Sequence, residues 1–205
     1  MAFSDFAYPD VLQRFGLSQQ SEDLFSRVPD LPASSLLRTT LSVNTTLATL
    51  ASTEAARSTW LVGPVLSEFW GLYHGRIGLY CGFEFSADPD DGLNGYCDFL
   101  ISRAPQLPQV TAPVVVVVEA KRDDLENGFG QCIAGMVGAL RFNQRAKNAI
   151  DTVYGAVTTG VQWRFLKLSG ATVTFDLPEY TLANVDRLLG ILTHIVGPVP
   201  GAAAA

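Results

Sequence analysis

Apolar residues recur along this chain with two different periods. From Ile77 to Phe85, Tyr96 to Ile101 and Val114 to Lys121 they form short, β-rich segments bounded by turn residues, which predicts three consecutive strands. The third is the clearest. Val114 to Val118 are five β-branched residues in a row after Pro113, the composition of a central strand covered on both faces. Further strands are expected over Thr152–Thr159, Gln162–Leu168 and Thr172–Phe175, the last two joined by a tight turn at Ser169-Gly170.

Helical spacing takes over elsewhere. It dominates from Thr45 to Tyr73, with a break or kink expected at Gly63-Pro64 and an apolar stripe of Leu61, Val65, Phe69 and Leu72. Asp123-Asp124 and Asn127 supply helix-start chemistry. The helix that follows runs to about Asn143, with Ile133, Met136, Val137 and Leu140 on its apolar side. Gly128, Gly130, Gly135 and Gly138 keep it slim enough to approach a sheet closely. A last amphipathic helix spans about Leu182 to Val196 and is stopped by Pro198.

The order helix, three strands, helix, two or three strands, helix predicts an α/β fold with a central mixed β-sheet flanked by helices on both faces. The three consecutive strands should pair as an antiparallel meander, and the later strand–helix–strand unit should be a right-handed crossover. The length of 205 residues suggests a single domain, residues 1–205. Within it, residues 1–44 read as an N-terminal arm broken by Pro9, Pro29 and Pro32. Residues 45–196 read as the core, and 197–205 as a flexible tail ending in Ala202 to Ala205.

Composition narrows the function. The formal net charge of -6 weighs against nonspecific binding to nucleic acid, which rests on phosphate neutralisation, although it leaves room for a local basic patch. A charged fraction of only 17% fits a buried interface, and a homodimer is expected. No apolar run is long enough for a membrane span and no signal peptide is read, so the expected location is cytoplasmic. Cys81, Cys97 and Cys132 match no zinc spacing and are expected to be reduced and buried.

The candidate chemistry lies at strand ends. Asp98 falls in the strand Gly95–Ile101, and Glu119-Ala120-Lys121 close the valine strand. Alternation puts Glu119 and Lys121 on one face, and if the two strands pair, Asp98 can meet Glu119. Two carboxylates with an ammonium beside them form a hard oxygen site for a divalent cation such as Mg²⁺ or Mn²⁺. The bland alternative is a salt bridge at a sheet end. Glu68 lies on the apolar stripe of its helix and needs a partner, either this site or Arg57 or Arg76. Glu84 reads as one half of a cross-strand ion pair, and Glu54 as a helix-face charge or a partner of Arg57.

This order of elements, with Asp98 and Glu119-Ala120-Lys121 where they fall, resembles the PD-(D/E)XK nuclease superfamily, whose core is the restriction-endonuclease-like fold. Within it the chain is similar to a bacterial, often cyanobacterial, group. The matching stretches are Thr53-Glu54-Ala55-Ala56-Arg57, Leu93 to Phe99, Val118 to Lys121, Gly130 to Ala134 and Tyr154 to Gly160. The resemblance implies that Asp98 and Glu119 bind Mg²⁺ or Mn²⁺, with Glu68 as a further acid from the preceding helix. It implies that Lys121 positions or activates the attacking water, with Gln131 beside it at the start of the next helix. The implied activity is phosphodiester hydrolysis, with DNA as the expected partner. The rival reading is a non-catalytic interaction or assembly module that keeps the fold; a small-molecule enzyme has no motif behind it.

Overall fold

The computed structural model describes residues 1–200; the predicted Ala202 to Ala205 tail lies outside the described residues. In chain order the elements are α1 (Asp10–Arg14), β1 (Ser18–Glu22), α2 (Ser35–Ala51), α3 (Glu54–Arg57), α4 (Gly63–Leu72), β2 (Gly78–Asp88), β3 (Leu93–Ser102), β4 (Val114–Ala120), α5 (Glu126–Arg145), β5 (Thr152–Thr158), β6 (Gln162–Ser169), β7 (Thr172–Asp176), β8 (Tyr180–Thr181) and α6 (Val185–Val196). The fold is α/β. Its single mixed sheet has eight strands in the order β1-β7-β6-β5-β4-β3-β2, with β8 added beside β6.

The expected pairing is present. β2, β3 and β4 form an antiparallel meander, α5 carries the chain across to β5, and β5 lies parallel to β4. The valine run is an interior strand between β3 and β5, with every residue of β4 buried. One apolar layer, built on Leu61, Val65, Phe69, Leu188 and Ile191, packs α4 and α6 against one face. The other, built on Cys132, Ile133, Met136, Val117 and Val157, packs α5 against the opposite face.

Two expectations about the N-terminal third are corrected. Residues 1–44 are not an arm. Phe3, Phe6, Val11 and Leu12 are buried in the α5 layer, and β1 extends the sheet by pairing parallel with β7. The helix expected from Thr45 begins at Ser35, where the Ser34 side chain accepts the Leu37 amide and caps it. The break expected at Gly63-Pro64 is a shift of the helical ladder. A π turn at Ser58–Val62 leads into α4, and the Gly63 amide reaches back to Ser58, so Pro64, which has no N–H, costs little. The tail's first residue is also tied down, since the Tyr73 hydroxyl donates to the Gly197 carbonyl at 2.6 Å. Among the described residues no helix is long and apolar enough to cross a membrane.

Candidate metal and phosphate site

The site begins where a ladder ends. β3 and β4 pair as far as Phe99 opposite Val118. Beyond that pair, Asp98 Oδ2 accepts the Ala120 amide at 2.7 Å, so a side-chain carboxylate serves the amide that the strand no longer serves. On the other side of β4 the Lys121 amide donates to the Thr158 carbonyl at 2.7 Å. The Glu119-Ala120-Lys121 backbone is therefore held from both flanks.

Glu119 is 0% exposed, and neither of its carboxylate oxygens has a hydrogen-bond donor. Burial is the main cause that raises its pKa well above the usual carboxylate range. The negative charge of Asp98 raises it further, and the Lys121 ammonium opposes. Two ionised carboxylates cannot bond to each other, so the acids stay close only by sharing a proton or a cation.

Lys121 points to the same face as Glu119, as alternation predicts. Its Nζ donates to Gln131 Oε1 at 3.0 Å and lies 4.0 Å from Glu54 Oε1. Gln131 is brought there by α5, whose first turn is set by Asp124 accepting the Glu126 amide at 2.8 Å. Glycine is required in that turn. A Cβ on Gly128 would stand 2.4 Å from Val157 Cγ1 and 3.1 Å from Lys121 Cγ, so the helix rests directly on the lysine stem.

The structure brings together Asp98, Glu119, Lys121 and Gln131. It does not bring Glu68. That carboxylate accepts the Ser34 amide at 2.7 Å and the Ser34 hydroxyl, and is taken up at the start of α2. The acid from the preceding helical region is Glu54 instead. It opens α3 behind the N-cap Thr53, whose hydroxyl accepts the Ala56 amide at 3.1 Å. Arg57, one turn on, donates to the Thr159 carbonyl at 3.2 Å rather than to Glu54, and so fastens α3 to the end of β5. The signal for Glu54 lay in the Thr53–Arg57 stretch, where a capping threonine fixes the direction of the next side chain. Glu84 is exposed and makes no ion pair among the described residues.

The cysteines divide. Cys97 and Cys132 are buried and free, as expected, but Cys81 is exposed. Burial, then the charge of Glu119, push the Cys97 and Cys132 thiols up, which keeps them protonated.

Donor chemistry fits a hard divalent cation: two neighbouring carboxylates, one of them with both oxygens unclaimed. Among the described residues no group of three or more His, Cys, Asp or Glu side chains is placed to hold an ion, so Asp98 and Glu119 would share the shell with backbone carbonyls and water, as Mg²⁺ allows. No protein-family model, curated protein or solved structure matches the chain.

Proposed function

We propose that the protein is a metal-dependent nuclease on a restriction-endonuclease-like core, hydrolysing phosphodiester bonds of nucleic acid, DNA first among them. The observation that carries this reading is the Glu119 carboxylate, fully buried with no donor on either oxygen, beside Asp98 and Lys121. A carboxylate kept in that state by folding alone is costly, and a ligand that neutralises it explains why it is there. Asp98 and Glu119 would hold Mg²⁺ or Mn²⁺, which when bound supplies Lewis-acid charge to a phosphoryl oxygen and lowers the pKa of water.

The chain's own residues do the rest. The Ala120 amide fixes Asp98, so that carboxylate needs no reorganisation on binding. Gln131 and Glu54 hold the Lys121 ammonium beside the two carboxylates. There it attracts an anionic phosphoryl oxygen and stabilises the extra charge as water adds to phosphorus and the P–O bond breaks. An ammonium has no lone pair for a metal, so its place in the cluster suits a substrate anion better than an ion's shell.

The rival, a non-catalytic interaction module, is favoured by one observation: Glu119 is sealed from solvent in a chain of net charge -6. Cleavage of single- and double-stranded DNA and of RNA in Mn²⁺ decides between them. Wild-type cleavage that Lys121→Met lowers supports the nuclease; a protein that cleaves none of the panel supports the module.

A further inference from the structure

Across the sheet from Glu119 runs a row that leads out of the site. Glu119 on β4 pairs with Val157 on β5, and Val157 pairs with Arg164 on β6. Paired residues share a face, so Arg164 stands on the α5 side two strand spacings from Glu119, about 10 Å. It lines a cavity of about 460 Å³ together with Tyr8, Gln20, Ser21, Glu126, Phe129 and Phe175. The same first turn of α5 that covers Lys121 supplies Glu126 and Phe129, so this cavity and the acidic site share a wall.

The lining is chemically mixed in a telling way. Tyr8, Phe129 and Phe175 meet edge to face, with ring centroids 5.9, 5.6 and 5.2 Å apart. Arg164 Nε is shielded from solvent and has no acceptor. Its Nη2 has only a long 3.4 Å contact to the Asp176 carbonyl. Among the described residues it joins no salt bridge. A guanidinium with donors to spare beside an aromatic wall matches a phosphate attached to a flat ring. The Asp176 carboxylate feels the Arg164 charge but is already taken by Leu24 and Tyr180. The carboxylate that lines the cavity itself is Glu126, and a carboxylate accepts from an exocyclic amino group of a base.

We propose that this cavity binds a nucleotide about three positions along a single-stranded substrate from the scissile phosphate, with the ring against the aromatic wall, Arg164 on the phosphate and Glu126 on the base edge. The identification of the scissile phosphate rests on the nuclease reading above. A span of about 10 Å is roughly three nucleotides of stacked strand at ~3.4 Å each, so one strand can reach both sites.

Two measurements test this without requiring turnover. In the first, amide spectra of the isotopically labelled protein are titrated with deoxycytidine 5′-monophosphate, with deoxycytidine and inorganic phosphate as separate controls. The expected result is shifts at Gln20, Ser21 and Glu126, at least tenfold weaker binding of deoxycytidine, and none of these shifts with phosphate. In the second, a fluorescent oligodeoxycytidine is bound to wild type, Arg164→Met and Arg164→Lys, with thermal melting as a check on folding. Arg164→Met should weaken binding at least tenfold, and Arg164→Lys should recover part of the loss. Unmoved amides, or an Arg164→Met protein that melts normally and binds the strand like wild type, overturns the proposal. Mononucleotide binding without any change in strand affinity also overturns it, since the cavity then takes a free nucleotide. Failure of the nuclease reading shows elsewhere, as wild-type protein that cleaves nothing.

Discussion

Two carboxylates are shut away completely in this protein, and they are treated in opposite ways. Asp176, at the end of β7, is 0% exposed, yet one oxygen accepts the Leu24 amide and the other the Tyr180 hydroxyl, both at 2.7 Å. Glu119, also 0% exposed, has neither oxygen served. Burial raises the pKa of both, but hydrogen bonds offset the rise at Asp176, while at Glu119 a second carboxylate adds to it. The first acid is a joint. It ties the segment after β1, the end of β7 and β8 together. The second lacks any such internal use, and its buried, unspent acceptors are what the proposed metal site rests on.

That contrast can be broken in several ways, beginning with the largest effect. Asp176→Ala should destabilise the protein by about 3 kcal/mol in urea unfolding, the scale of two buried partners left unpaired at ~1–3 kcal/mol each. The loss should be the same with or without Mn²⁺; a metal-dependent loss would mean that Asp176 is no mere joint. Lys121→Met should leave folding intact and lower cleavage in Mn²⁺ by on the order of 10²-fold, the effect of removing one preorganised charge. Equal cleavage by the variant would end its catalytic role.

Glu119→Gln should behave unlike any substitution at Asp176. Because the folded pKa of Glu119 is raised, the stability tied to its protonated form is fully present below the ordinary value of 4.5 and is lost as pH rises through the raised value. Glutamine mimics the protonated form. In metal-free buffer the variant should melt a few degrees above wild type at pH 7 to 8, at about 2–4 °C per kcal/mol. The two should converge toward pH 4, and the variant should lose the melting increment that Mn²⁺ gives wild type. A variant less stable than wild type at pH 8 would refute the unsatisfied state of Glu119. The smallest effect is expected at Glu68. Glu68→Gln should cost about 1 kcal/mol through the start of α2 and leave the Mn²⁺ increment unchanged; a lost increment would return Glu68 to the site.

The sheet around Glu119 was legible in the sequence because β4 carries an uninterrupted apolar run and its neighbours are apolar-rich segments bounded by turn residues, and α5 because its stripe is long. β1 was not. Ser18-Gln19-Gln20-Ser21-Glu22 has no apolar alternation, and all five residues are exposed. It is a strand only because β7 offers it backbone partners. Phe3 and Phe6 looked like parts of an irregular arm because too few residues surround them to show a period. In the site, Asp98, Glu119 and Lys121 were legible from strand ends and alternation. The third acid was misassigned because helical spacing places Glu68 correctly on a buried stripe but says nothing about Ser34, which meets it. Which acid finds a partner depends on contacts between distant segments, and periodicity carries none of that information.

The pairing of β1 with β7 joins Ser18 to Thr172, positions 154 residues apart. On a growing chain β1 has no partner until nearly everything else has been made. A long apolar segment would spend that interval as an aggregation template, whereas Ser-Gln-Gln-Ser-Glu stays solvated while it waits. The cavity wall that β1 contributes can thus form only after β7 has been made, with β8 and α6 alone of the named elements still to follow.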